Sequence, residues 1–212
     1  MRLFIAIPVE DALKQQLINI QNEIRGTGAH IRLVEPENIH LTVRFLGEIN
    51  SEQSSLIANL IKKATSNYKR FEMELKRIGA FPSGNNPRVV WVGCHETAGE
   101  NKLLKIYQDI EKGLHPFKAL SPDVTSRGCQ SGVPEPRLNG VSGIGSNQTF
   151  SPHITLGRVK SPKNKEALTR LLDERAEFSA GKQVVKEVVL FQSQLRPDGP
   201  VYSVVDIGSL AD

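Results

Sequence analysis

Two short segments of this chain are near copies of each other: His40-Leu41-Thr42-Val43 and His153-Ile154-Thr155-Leu156. Each reads His, apolar, Thr, apolar, and each runs on into a glycine, Gly47 and Gly157, one copy in each half of the chain. A β-strand alternates its faces with period 2, so His and Thr at i and i+2 point the same way while their apolar neighbours point into a core. Two such strands brought together place two imidazoles and two hydroxyls around one cavity.

The surroundings of the two segments repeat as well. Leu3 to Ile7 is a short apolar strand, and Leu13, Leu17, Ile20 and Ile24 make a helical stripe that ends at Gly26-Thr27-Gly28. A short strand at Ile31 to Val34 and a turn at Glu35 to Asn38 lead into the first His-Thr strand, Ile39 to Leu46. Ser51 is the expected N-cap of a helix carrying Leu56, Ile57, Leu60, Ile61 and Ala64. Phe71 to Ile78 alternates as a half-exposed strand, and Pro82 to Pro87 is a turn. The order then begins again. Val89 to Val92 is a strand, and Leu103, Tyr107, Ile110 and Leu114 form a helical stripe. After the second His-Thr strand, Ser161-Pro162 is the expected start of a helix with Ala167, Leu168, Leu171 and Leu172. Val184 to Leu195 reads as one strand, Pro197 to Pro200 as a turn, and Val201 to Ile207 as a closing strand.

The repeated order predicts an α+β fold: a bilobal pseudo-two-fold duplication, with two antiparallel β-sheets facing a central cleft and helices packed outside. Its 212 residues suffice for a single domain, 1–212, of two intertwined lobes. One stretch does not fit the repeat. Residues 121–148, rich in Gly, Ser and Pro, are expected to be an insertion, either a loop or disordered, and either a lid over the cleft or a tolerated surface excursion.

Composition narrows the function classes. A net charge of +4 and a pI near 9.1 suit an anionic ligand, but are too modest to argue nucleic-acid binding alone. Cys94 and Cys129 have no zinc-like spacing, and so low a cysteine count suits a reduced compartment. The apolar run Leu3 to Val9, followed at once by Glu10-Asp11, is too short for a secretory leader, and no stretch approaches a membrane span. A soluble cytoplasmic monomer is expected. There is no HExxH, P-loop, GxGxxG or GxSxG pattern, which argues against a zinc hydrolase, a nucleotide switch and a serine hydrolase.

A lone His-x-Thr is ordinarily the polar face of a strand; two copies in matching contexts point to chemistry. Among the remaining candidates, His30, His95 and His115 read as surface or loop residues, and Trp91 and Phe4 as core. Lys102 and Lys105 read as a solvated face, and Lys160, Lys163 and Lys165 as a helix start that could also guide an RNA backbone. Arg44 is either a phosphate contact sharing the His40 face or a solvated edge charge.

Together the two motifs, the opening Met1-Arg-Leu-Phe-Ile-Ala-Ile7, Arg88-Val-Val-Trp-Val-Gly93 and Ser151-Pro-His-Ile-Thr-Leu-Gly-Arg158 resemble the 2H phosphoesterase superfamily. Within it, the chain looks most like the RNA 2′,3′-cyclic phosphodiesterases, also called the 2′-5′ RNA ligase or LigT-like family. The resemblance covers nearly the whole chain. It implies that His40 is the proton donor, His153 the proton acceptor, and Thr42, Thr155 and Arg158 the phosphate-binding groups. It implies no metal and no cofactor. The substrate it implies is an RNA or oligonucleotide with a 2′,3′-cyclic phosphate end, opened to a 2′-phosphomonoester, with reversible 2′-5′ ligation open to the same site. The competing expectation is a non-catalytic module that binds RNA ends in the same cleft.

Overall fold

The structure, a computed structural model, describes residues 1–118, 150–197 and 199–212. The expected insertion at 121–148, and Cys129 within it, lie outside the described residues.

In chain order the elements are β1 (Arg2–Pro8), α1 (Asp11–Gly26), β2 (Ile31–Leu33), a 3-10 turn (Pro36–Asn38), β3 (His40–Glu48), α2 (Ser51–Ser66), β4 (Phe71–Ser83) and β5 (Asn86–Glu96). They continue with α3 (Lys102–Lys118), β6 (His153–Val159), α4 (Lys165–Glu174), β7 (Ser179–Val185), β8 (Glu187–Arg196) and β9 (Gly199–Ser209). The strands form a sheet in the order β7-β4-β5-β6-β3-β1-β8-β9, with β2 added on β6, and all pairings between named strands are antiparallel.

The order is symmetric about its centre. On one side β6 is followed outward by β5, β4 and β7; on the other, β3 is followed by β1, β8 and β9. The two His-Thr strands are therefore neighbours at the pseudo-two-fold axis, joined through the pair Leu41 and Ile154. The two sheets expected from the repeat are two quartets of one sheet. The quartets also trade strands: β4, which ends the first repeat, pairs with β5, while β8 in the second repeat returns to β1.

The helices cover one face. α2 packs on β8 and β9, α1 on β7, and α4 on β4 and α1. Leu17, Ile20 and Ile24 of α1 and Ile57 and Ile61 of α2 bury against Ile5, Ile7, Leu41, Val92, Ile154 and Leu156 of the strands. Removing this apolar surface from water is the main stabilising contribution.

Several boundaries differ from the sequence expectation, among them the turn expected at Pro82 to Pro87, whose ends are paired strand, and three of the differences show what holds the chain there. The N-cap of α2 is Asn50, not Ser51: its side chain accepts from the Gln53 amide at 2.8 Å while Gln53 Oε1 accepts from the Asn50 amide at 3.1 Å, a reciprocal capping box. Helix α4 begins at Lys165, later than Ser161-Pro162, and Asn164 in front of it donates its side-chain amide to the carbonyls of Thr27 and Gly28 at the end of α1. The single strand expected from Val184 to Leu195 is two, β7 and β8, divided at Lys186 where the chain leaves one quartet for the other. Strand propensity runs through this break unchanged, because it does not report which neighbour a strand pairs with.

Candidate active site

Leu41 and Ile154 are fully buried on the helix-covered face, so the residues flanking them face the open side. The antiparallel register through that pair carries His40 toward Thr155 and Thr42 toward His153. All four side chains belong to one surface, each half-buried.

Both histidines are held in the same way. His40 Nδ1 lies 2.7 Å from the carbonyl oxygen of Asn38, and His153 Nδ1 lies 2.8 Å from that of Ser151. A carbonyl only accepts, so each Nδ1 carries a proton and each Nε2 is left to take or give one. In the neutral form His40 Nε2 accepts from the Thr42 hydroxyl at 2.9 Å. Burial pushes the His40 pKa down to about 4, against the raising effect of its hydrogen bond to the Asn38 carbonyl.

A residue five positions after His153 falls on the opposite face of a regular strand. Here Trp91 pairs with Thr155 and Val90 with Gly157, so β6 carries an extra residue, Leu156, against β5. This β-bulge reverses the alternation and returns Arg158 to the face of His153 and Thr155. A side chain at Gly157 would press on Arg32 O, Ile31 Cδ1 and Leu33 Cδ2 of β2, each 3.0 Å from its Cβ. Glycine lets β2 approach β6 at this point.

The first motif has a matching bulge. Ala6 pairs with Thr42 and Ile5 with Arg44, which makes Val43 the extra residue of β3. Arg44 therefore faces the helices, where its Nε lies 3.0 Å from Glu111 Oε1 of α3. That settles the two readings of Arg44 in favour of neither: it is a tertiary ion pair, turned away from His40 by the bulge. The cleft position equivalent to Arg158 belongs to Phe45, 49% exposed.

Aromatic rings stand beside each imidazole. His40 lies 4.9 Å from Phe4 and 5.4 Å edge-on from Tyr202, with Phe191 stacked behind Phe4. His153 stands edge-on to Phe81 at 5.1 Å and to Trp91 at 6.4 Å. Phe4 is buried as expected, but beneath His40 rather than under the helices. Trp91, expected in the core, is half-buried in the wall beside His153. Phe81, Phe191 and Tyr202 carry no motif, and the sequence offers no signal for them beyond their ring type. His30, His95 and His115 are surface residues, as expected, with His30 Nδ1 2.9 Å from Ser161 Oγ. Lys165 donates to Asn86 Oδ1 at 3.1 Å. Among the described residues no three His, Cys, Asp or Glu side chains gather where they could hold a metal ion, and no helix is long and apolar enough to cross a membrane.

The model of the LigT-like phosphoesterases matches residues 7–91 and 137–202. The chain belongs to the LigT-like phosphoesterase family. It is 35% identical to the RNA 2′,3′-cyclic phosphodiesterase of Aeropyrum pernix across 90% of this chain and 92% of that protein. It is 31% identical to the protein of that name from Methanocaldococcus jannaschii across 97% and 98%. Among solved LigT-like folds, TT0787 of Thermus thermophilus superposes with a TM-score of 0.71 at 26% identity, covering 99% of this chain and 98% of that one. LigT of E. coli in its apo form gives 0.68 at 22% identity over 100% and 98%, a likeness of fold.

Proposed function

We propose that this LigT-like phosphoesterase opens RNA 2′,3′-cyclic phosphate ends to 2′-phosphomonoesters, with His40 as proton donor and His153 as proton acceptor. The observation that carries this reading is the paired imidazoles. Both have Nδ1 tied to the carbonyl two residues earlier and both sit on one surface of adjoining strands with Thr42, Thr155 and Arg158. The names of the relatives from Aeropyrum pernix and Methanocaldococcus jannaschii support the substrate class.

Hydrolysis needs one proton removed from water and one delivered to a ribose oxygen, on opposite sides of phosphorus. His153 Nε2 takes the proton of the attacking water as the new P–O bond forms. The P–O3′ bond breaks, and His40 Nε2–H protonates the departing 3′ oxygen. The Thr42 and Thr155 hydroxyls and the Arg158 guanidinium hold the non-bridging oxygens as charge builds. His40 is neutral near pH 7 in the empty cleft because of its burial. An arriving phosphate anion favours the imidazolium and charges it when substrate is present. Replacing the water by an RNA 5′-hydroxyl gives a 2′-5′ linkage through the same transfers.

The low His40 pKa favours a second reading, in which neutral His40 is the base and His153 the acid. For one bound orientation of the ring that exchange expels the 2′ oxygen and leaves a 3′-phosphate. The test is a phosphodiesterase assay in EDTA on a short RNA ending in a 2′,3′-cyclic phosphate, with the position of the product phosphate determined. A 2′-phosphate is expected, with H40A and H153A each slower by roughly 10²- to 10⁴-fold while remaining folded. A 3′-phosphate exchanges the two roles. Binding without turnover leaves an RNA-end-binding module.

A further inference from the structure

We infer that Arg32 of β2 forms, beside Arg158, a second anion subsite that takes the phosphodiester next to the reacting phosphate. The inference rests on the RNA-end reading above and adds to it that the cleft is built for an oligonucleotide rather than a lone cyclic nucleotide.

Three observations place Arg32 there. First, β2 pairs with β6 so that Arg32 lies directly opposite Arg158. Directly opposed residues of an antiparallel pair share a face, and the bulge at Leu156 has put Arg158 on the face of His153 and Thr155. Second, the neighbours of Arg32 point the other way: Ile31 and Leu33 pack against the core, while Arg32 itself is exposed. Third, the guanidinium extends to the start of β9. A methyl group on Gly199, at the start of β9 in the other quartet, would lie 3.4 Å from Arg32 Nη2.

Like charges directly opposite on a sheet weaken the pairing, and a ligand carrying two phosphates in succession matches them. A mononucleotide cyclic phosphate offers one anionic group, which Thr42, Thr155 and Arg158 already serve. An RNA end offers a second phosphate one nucleotide away, and two long guanidinium side chains on neighbouring strands can address the two in turn. Arg32 is thus a binding residue for the polymer and takes no part in proton transfer.

The test compares wild type, R32Q and R32K on two substrates: adenosine 2′,3′-cyclic phosphate and a trinucleotide ending in a 2′,3′-cyclic phosphate. Wild type is expected to prefer the trinucleotide through KM, with the steeper salt dependence of a second phosphate contact. R32Q should lose roughly tenfold in kcat/KM on the trinucleotide, flatten its salt dependence, and leave the mononucleotide unchanged; R32K should recover part of the loss. Equal slowing on both substrates, or an undiminished trinucleotide preference in R32Q, overturns the inference. If wild type turns over neither substrate, the phosphodiesterase reading has failed instead. Fluorescence anisotropy of a labelled trinucleotide ending in a 3′-phosphate then decides: weaker binding by R32Q upholds the subsite, and equal binding rejects it.

Discussion

His40 carries opposing demands. Its ring is sunk among Phe4 and Tyr202, which fixes its direction but disfavours its charge, and its Nδ1–H is committed to the Asn38 carbonyl. The consequence for stability has a definite sign. In the unfolded chain a histidine takes up a proton near pH 6.5, whereas folded His40 resists until about 4. The unfolded state therefore binds the extra proton first, and stability is lost as pH falls from about 6.5 toward 4. Urea unfolding at pH 7 and pH 4.5 should show wild type losing about 2 to 3 kcal/mol more than H40Q. Equal losses would mean that His40 titrates as an exposed imidazole. The same group should appear in catalysis, with a limb near pH 4 in kcat/KM for the free enzyme. The limb in kcat, which reports the complex, moves to higher pH because the bound phosphate favours the charged ring.

At the scale of elements, the bulges in β3 and β6 decide which side chains enter the cleft. They turn Arg158 in and Arg44 out, and they set Phe45 opposite Arg158 across the pseudo-two-fold axis. A second backbone device holds the wall beside His153. The indole of Trp91 crowds Gly79, its partner on β4, so closely that a Cβ there would come 2.6 Å from Cζ2. Gly79→Ala must displace the ring. The expected result is a destabilisation of about 1–3 kcal/mol, with a shifted emission from the chain's one tryptophan and reduced turnover. An unchanged emission spectrum would show that Trp91 is not clamped against β4.

For the whole molecule, the traded strands mean that neither quartet is assembled from one half of the chain. β8 must return to β1 before the first motif has its full sheet, and β4 must reach β5 before the second has its own. Where the quartets meet, Leu41 and Ile154 tie β3 to β6 directly beneath the four polar side chains. Leu41→Ala should cost about 2–5 kcal/mol, as buried truncations do, and should also lower kcat by loosening the spacing of the two histidines. Ile57→Ala in α2, equally buried but away from the junction, should cost similar stability and keep kcat. Parallel behaviour of the two variants in urea titrations and turnover would argue against a special role for the junction.

Much of this protein was legible without coordinates. The His-x-Thr pairs, the period-2 flanks and the helical stripes at Leu13 to Ile24 and Leu103 to Leu114 are local patterns, and local periodicity is what sidedness in a strand or helix requires. Those patterns also identified His40, Thr42, His153 and Thr155 as one constellation. Other features depend on which strand lies next to which. The break at Lys186, the exchange of β4 and β8 and the burial of His40 all follow from long-range pairing that no window of sequence contains. So do the aromatic walls from Phe81, Phe191 and Tyr202. Arg158 shows the division most clearly. Counting residues places it five after His153, on the wrong face; the register against β5 inserts one residue and turns it into the cleft, because a bulge exists only as a relation between two strands.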